Sequence, residues 1–149
     1  MKNSYLSLGV QTLVSGIIMY LVMFVMIDGL DSFYSNLNMF YMTLMMVAPM
    51  VVLMILAMRH MFQSRAANMA LVAAALVAFL GSYALIRTQT TIGDRAFLRS
   101  MIPHHSGAIL MCREASLSNP EIVELCKNII KSQREEIDQM KAILARLIR

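Results

Sequence analysis

Two fragments decide how this chain folds: MIPHH at 101–105 and SQREEIDQM at 132–140. In the first, Met101, His105, Ala108, Cys112 and Ala115 recur at intervals of 4, 3, 4 and 3. In the second, Ile122, Cys126, Ile129, Gln133, Glu136, Met140 and Ile143 repeat the pattern. A 4-3 repeat is the seam of packed helices, and it ordinarily buries apolar side chains. Here it holds imidazole, thioether, amide and carboxylate groups, so function is sought along it.

The surrounding residues set the helix limits. Asp94 after Gly93 predicts an N-cap, with a helix from Arg95 to about Leu117. Ser118, Asn119 and Pro120 make a turn, and Pro120 suits the first turn of a second helix that continues to the carboxy terminus. Pro103 either starts or kinks the first helix, because it leaves the carbonyl of Arg99 without its amide donor. A hairpin folded back near Asn119 sets Cys112 opposite Cys126 and His105 opposite Gln133, with Met101 beside Glu136 and Ile137 and Met140 just beyond. Successive helical residues diverge by about 100°. His105 therefore shares the Met101–Cys112 face, and His104 shares a neighbouring one with Phe97 and Met111.

The rest of the chain lives in a different solvent. Its 149 residues have a mean hydropathy of +0.63 and are only 15% charged, unlike a soluble domain. Nine of 13 basic and seven of nine acidic residues fall after position 87. Stretches at Leu8–Ile27, Leu37–Met58 and Ala66–Ile86 are each long enough to span about 30 Å of hydrocarbon. The first is too long for a secretion signal and lacks a cleavage site. This predicts a membrane domain over 1–87 and an exported helical domain over 88–149. Lys2, Arg59 and Arg65 oppose Asp28 and Asp31, which puts the amino terminus in the cytoplasm and the tail across the membrane. In a bacterium that is the inner membrane, with a periplasmic tail. Basic and acidic residues of the tail interleave, so its charge describes a solvated helix surface and no nucleic-acid patch.

Two further patterns lie in the apolar part. Ala66, Ala70, Ala74, Ala78 and Ser82 form a strip of small residues suited to helix packing in lipid. The 16 methionines include runs at Met19, Met23 and Met26, and from Met39 through Met42, Met46, Met50, Met54 and Met58 to Met61. These read first as flexible apolar filler, with a thioether path for Cu(I) as the alternative.

FLRSMIPHHSGAILM (97–111) with IIKSQREEIDQM (129–140) resembles the ferritin-like "domain of unknown function" family numbered 305, over about residues 92–145. Met101, His104, His105, Ala108, Met111, Gln133, Glu136, Ile137 and Met140 carry the likeness. It implies an all-α, ferritin-like module, used by some members to bind copper or silver. By that carry-over Met101, His104, His105, Met111 and Met140 are candidate soft-metal ligands, with Gln133 and Glu136 orienting them. On this reading the three spans lie outside the family domain. Glu-x-x-His, the mark of di-iron bundles, is absent from the sequence.

The expectation is a membrane-anchored Cu(I)- or Ag(I)-binding protein for copper handling, whose single hairpin pairs with a second copy, or with another protein, to complete a four-helix bundle, in a dimer or larger homo-oligomer held by the hairpin and the third span. A weaker alternative is an enzyme using His105 and Glu136 as acid and base, but no nucleophile, phosphate loop or second carboxylate supports it. The alternative is a helical assembly subunit whose polar seam fixes register and holds no metal. Cys112 and Cys126 are open to a disulfide, to packing as small apolar groups, or to service as accessory thiols.

Overall fold

The computed structural model describes residues 2–147, so Met1, Ile148 and Arg149 of the expected domains lie outside the described residues. Five α-helices follow one another: α1 (Lys2–Val22), α2 (Leu37–Ala57), α3 (Arg65–Thr88), α4 (Asp94–Glu114) and α5 (Pro120–Leu147). Short 3-10 turns occupy Met23–Met26 and Leu30–Ser32, and no strand occurs among the described residues. The chain divides into two compact units, one of residues 1–22 and 38–91, the other of residues 23–37 and 92–149.

Three helices are long and apolar enough to cross a membrane, in stretches Ser4–Met26, Leu37–Ala57 and Arg65–Thr88, of which Met23–Met26 and Leu37 fall in the second unit. At most 17% of the most apolar window of any of these stretches is buried by protein. Leu8, Val51, Ile55 and Phe62 form a small core against which Met54 and Met58 pack. Tyr5 stacks 5.2 Å from Phe62 and donates its hydroxyl to Asn68 Oδ1 at 2.9 Å. Asn68 in turn donates to the Phe62 carbonyl at 2.7 Å, which ties the start of α1 to the turn before α3. Ser64 caps α3 by accepting from the Ala67 amide. At the other end of the unit, Asn38 and Gln89 exchange reciprocal amide hydrogen bonds of 3.2 and 3.0 Å. Gln89 ends α3 in the left-handed region at φ 54°. The small-residue strip is only partly enclosed: Ser82 is buried and Ala66, Ala70 and Ala74 are exposed.

The second unit is an antiparallel pair of α4 and α5 with the 23–37 segment laid on α4. Asn119 Oδ1 accepts from the amides of Glu121 and Ile122, so Asn119 caps α5 and Pro120 opens it, as its sequence position predicts. At α4 the cap differs: Gly93 is the N-cap and Asp94 is already helical. There the carboxylate offsets the positive helix end without a capping hydrogen bond. The helix runs through Pro103 and stops at Glu114, three residues before the expected Leu117. Cys112 and Cys126 are joined by a disulfide, with Cα atoms 5.2 Å apart.

The seam also differs from its sequence reading. The buried line on α4 is Leu98, Ile102, Ser106 and Ile109, and Met101, His105 and Cys112 flank it. On α5 Ile137, Met140 and Leu144 are buried, whereas Glu136 is exposed. The shift has a physical cause. A two-helix seam would centre on the face towards α5, but residues 23–37 cover a second face of α4 and move its buried centre between the two. Phe24 is buried with its ring 4.1 Å from that of Phe33, and Tyr34 packs against the hairpin core. The Asp28 amide donates to Ser106 Oγ at 2.7 Å. Asp28 pairs with Arg113, and Asp31 with Lys141. Each fully buried Leu, Ile or Met contributes roughly 1.5–3 kcal/mol, so the Leu98–Ile102–Ile109 and Ile137–Met140–Leu144 cluster supplies most of what holds this unit.

Candidate soft-metal site

His105 stands at the edge of the hairpin core with 13% of its side chain exposed, and its Nδ1 lies 3.0 Å from Glu136 Oε2. The two atoms are close, but the contact falls outside hydrogen-bond geometry. Burial pushes the imidazole below its ordinary pKa, Glu136 partly opposes this, and His104 adds to it. The neutral imidazole that burial favours is the form that offers a lone pair. The side chain that meets His105 is Glu136, one turn beyond the expected Gln133, which is half-buried. Helical side chains lean towards their own amino terminus, so across an antiparallel pair each meets a residue further along its partner than Cα matching suggests.

The other candidate ligands separate into two groups. Met101, one turn before His105, packs half-buried against the core cluster that contains the buried Met140. His104 and Met111 are exposed on a different face of α4, with the His104 ring centre 6.0 Å from that of His105. Met101 and Met140 thus share one core, His105 lies one turn from Met101 on the same face of α4, and His104 and Met111 lie on another. Among the described residues no three His, Cys, Asp or Glu side chains group to hold an ion. Thioether groups such as those of Met101 and Met140 are soft donors. Cys112 and Cys126, as a disulfide, offer no thiolate.

The 23–37 segment is the part of this unit that helix periodicity does not reveal. Its signals in the sequence are the small pair Ser106–Gly107 within an apolar stretch of α4, and the acids Asp28 and Asp31 ahead of the basic Arg113 and Lys141.

Three membrane-length apolar helices followed by a disulfide-closed helical hairpin define the class of chain. It belongs to the DUF305 family, a domain of unknown function, whose family model matches residues 58–144. The match takes in α3 as well as the hairpin, which corrects the expectation that all three apolar helices stand outside the family domain. The chain is also similar to the uncharacterized protein L153 of Acanthamoeba polyphaga mimivirus, 39% identical over 112 residues, covering 73% of this chain and 71% of the relative. No solved structure matches.

Proposed function

We propose that this protein is a membrane-anchored binder of Cu(I) or Ag(I), with Met101, His105 and Met140 as its principal ligands. The observation that carries the reading is His105, on the same face of α4 as Met101 and with Glu136 Oε2 3.0 Å from its Nδ1, which leaves Nε2 as the nitrogen open to an ion, beside a core that includes the thioethers of Met101 and Met140. Thioether and imidazole donors with no carboxylate cluster favour soft monovalent ions over Zn(II), Mg(II) or Fe(II). Glu136 orients the imidazole, and Gln133 lines the same face of α5. The ion is cargo, and the role is sequestration, buffering or delivery in copper handling.

The hairpin works on the side of the membrane away from the cytoplasm, which in a bacterium is the periplasm. The Cys112–Cys126 disulfide supports an oxidising compartment, and the basic turn around Arg59 and Arg65 supports a cytoplasmic side for the opposite end. A two-helix module is small for a self-sufficient core, so a second copy completing a ferritin-like four-helix bundle is part of the proposal.

Competition for Cu(I) against a chelator, with the full chain in detergent, tests the assignment. Met101→Leu with His105→Ala lowers affinity at least tenfold, and Gln133→Ala acts more mildly. Unchanged affinity in the double variant removes these ligands. A parent protein that binds no Cu(I) favours the second reading, a helical assembly subunit in which the His105–Glu136 contact fixes register, as buried polar groups do elsewhere.

A further inference from the structure

Every acidic residue of the chain falls within 23–37 or 92–149, so the unit of residues 1–22 and 38–91 contains none. Its basic residues are Lys2, Arg59, Arg65 and Arg87, and the first three are gathered at one end. Tyr5 gathers them. Its hydroxyl accepts from the Ser64 amide at 3.3 Å and donates to Asn68 Oδ1 at 2.9 Å, while its ring stacks on that of Phe62. Arg65 follows Ser64 directly, and Lys2 opens α1 three residues before Tyr5, about 4.5 Å away along the helix axis. Arg59 and His60 are the middle of a turn closed by the Met61 amide on the Met58 carbonyl at 2.8 Å, and the buried Phe62 anchors it. Arg59, His60 and Arg65 are exposed, and among the described residues every ion pair falls in the other unit.

We infer that this end of the unit binds the headgroup phosphate of an anionic phospholipid, with Arg59 and Arg65 as its principal contacts and Lys2 adding to the local charge. Here α1 begins, α2 ends and α3 begins, so wherever these helices cross a membrane the two arginines stand at the depth of the headgroups. A guanidinium presents a planar fork of donors that matches two phosphate oxygens. No carboxylate of the unit competes for that fork, so its charge is left to an outside anion. Basic residues beside a membrane span attract anionic lipids in this way. A zwitterionic lipid brings its own cation, which three basic residues without an acid disfavour. The lock around Tyr5 also places apolar surface beside the charge: Leu6 adjoins Tyr5, Met61 adjoins Phe62, Met69 adjoins Asn68, and all three are exposed. Acyl chains can cover such surface and a free phosphate cannot, so the ligand is the lipid. The inference concerns the apolar unit and does not rest on metal binding by the hairpin.

The test titrates the full chain in detergent with dioleoyl phosphatidylglycerol or dioleoyl phosphatidylcholine and counts retained lipids by native mass spectrometry. The two lipids share their acyl chains and differ in headgroup charge. Phosphatidylglycerol should bind at least tenfold more tightly, and excess inorganic phosphate should leave it bound. Arg59→Gln with Arg65→Gln should abolish the preference, whereas Arg87→Gln, at the other end of α3, should leave it intact. Arg59→Lys with Arg65→Lys keeps both charges and should retain most of it. Equal binding of the two lipids overturns the site and leaves the arginines as topology signals alone. A preference that survives the glutamine pair places the lipid elsewhere, and one lost equally in Arg87→Gln reports overall charge; either overturns the assignment. Loss in the lysine pair as well marks a structural effect of substitution and also overturns it. Displacement by inorganic phosphate overturns the lipid as ligand.

Discussion

The backbone amide of Asp28 donates to Ser106 Oγ at 2.7 Å, and Ser106 is wholly buried in α4. A hydroxyl sunk into an apolar helix face is thereby matched to a chain segment that leaves its helix at Val22. Ser106→Val, close in volume, removes the acceptor and leaves that amide unpaired where water is excluded. The expected cost is about 1–3 kcal/mol. Hydrogen exchange should quicken through residues 23–37 and change little at the far end of α5. Protection unaltered in the segment would show that its side chains alone hold it down.

The disulfide between Cys112 and Cys126 closes a loop of sequence separation 14 around the α4–α5 turn. Loops of this size gain about 3 kcal/mol from cross-linking. Cys112→Ser with Cys126→Ser should lower the stability of the hairpin by about 2–4 kcal/mol in a denaturant titration. In cell extracts both thiols should resist alkylation until a reductant is added. Free thiols in freshly isolated membranes would place the hairpin in a reducing compartment.

Asp31 has its carboxyl below the ordinary 3.8, first through its hydrogen bond from Lys141 and then through the charge of that lysine, with burial opposing. A depressed carboxyl pKa stabilises the folded form above the unfolded value. That contribution is lost as pH falls through the folded one. Contact between residues 23–37 and α5 should therefore be constant from neutral pH to about 4 and weaken below it. Because Asp31 is largely exposed, the effect is small, within the usual 0–1 kcal/mol of a surface pair. Asp31→Asn should abolish the pH dependence, and segment exchange rates measured against pH check it.

A periplasm-active reporter joined after Arg149 should be active, and one inserted at Gln63 inactive. Lys2, Arg59 and Arg65 motivate the orientation. The 23–37 segment and the hairpin occupy one compact unit, so they share a side of any membrane the helices cross. Activity at Gln63 and not at Arg149 would invert the protein and move the candidate site to the cytoplasm.

Local chemistry was legible in the sequence, and long-range cover was not. Asn119 and Pro120 announced the start of α5, and the Cys112–Cys126 pairing followed from placing the turn there. The three apolar stretches were plain from hydropathy, with α1 ending short of the expected Ile27 because Met23–Met26 joins the hairpin unit. Periodicity alone mistook Met101, His105 and Cys112 for the centre of a seam, since it counts one partner helix. The second partner of α4 lies some eighty residues upstream, as Asp28 to Ser106 shows at a separation of 78. Nothing periodic encodes such a contact. Only the small side chains of Ser106 and Gly107 hint that something approaches.

The border drawn by homology and the border drawn by packing do not coincide. The family match begins at residue 58, yet Phe24, Asp28, Asp31 and Tyr34 belong physically to the hairpin. A fragment cut to the homologous region would be made without them. It would uncover Ser106 and Gly107 and leave Arg113 without Asp28 and Lys141 without Asp31. Binding or assembly measured on such a fragment would describe an exposed face that the intact chain covers with its own residues.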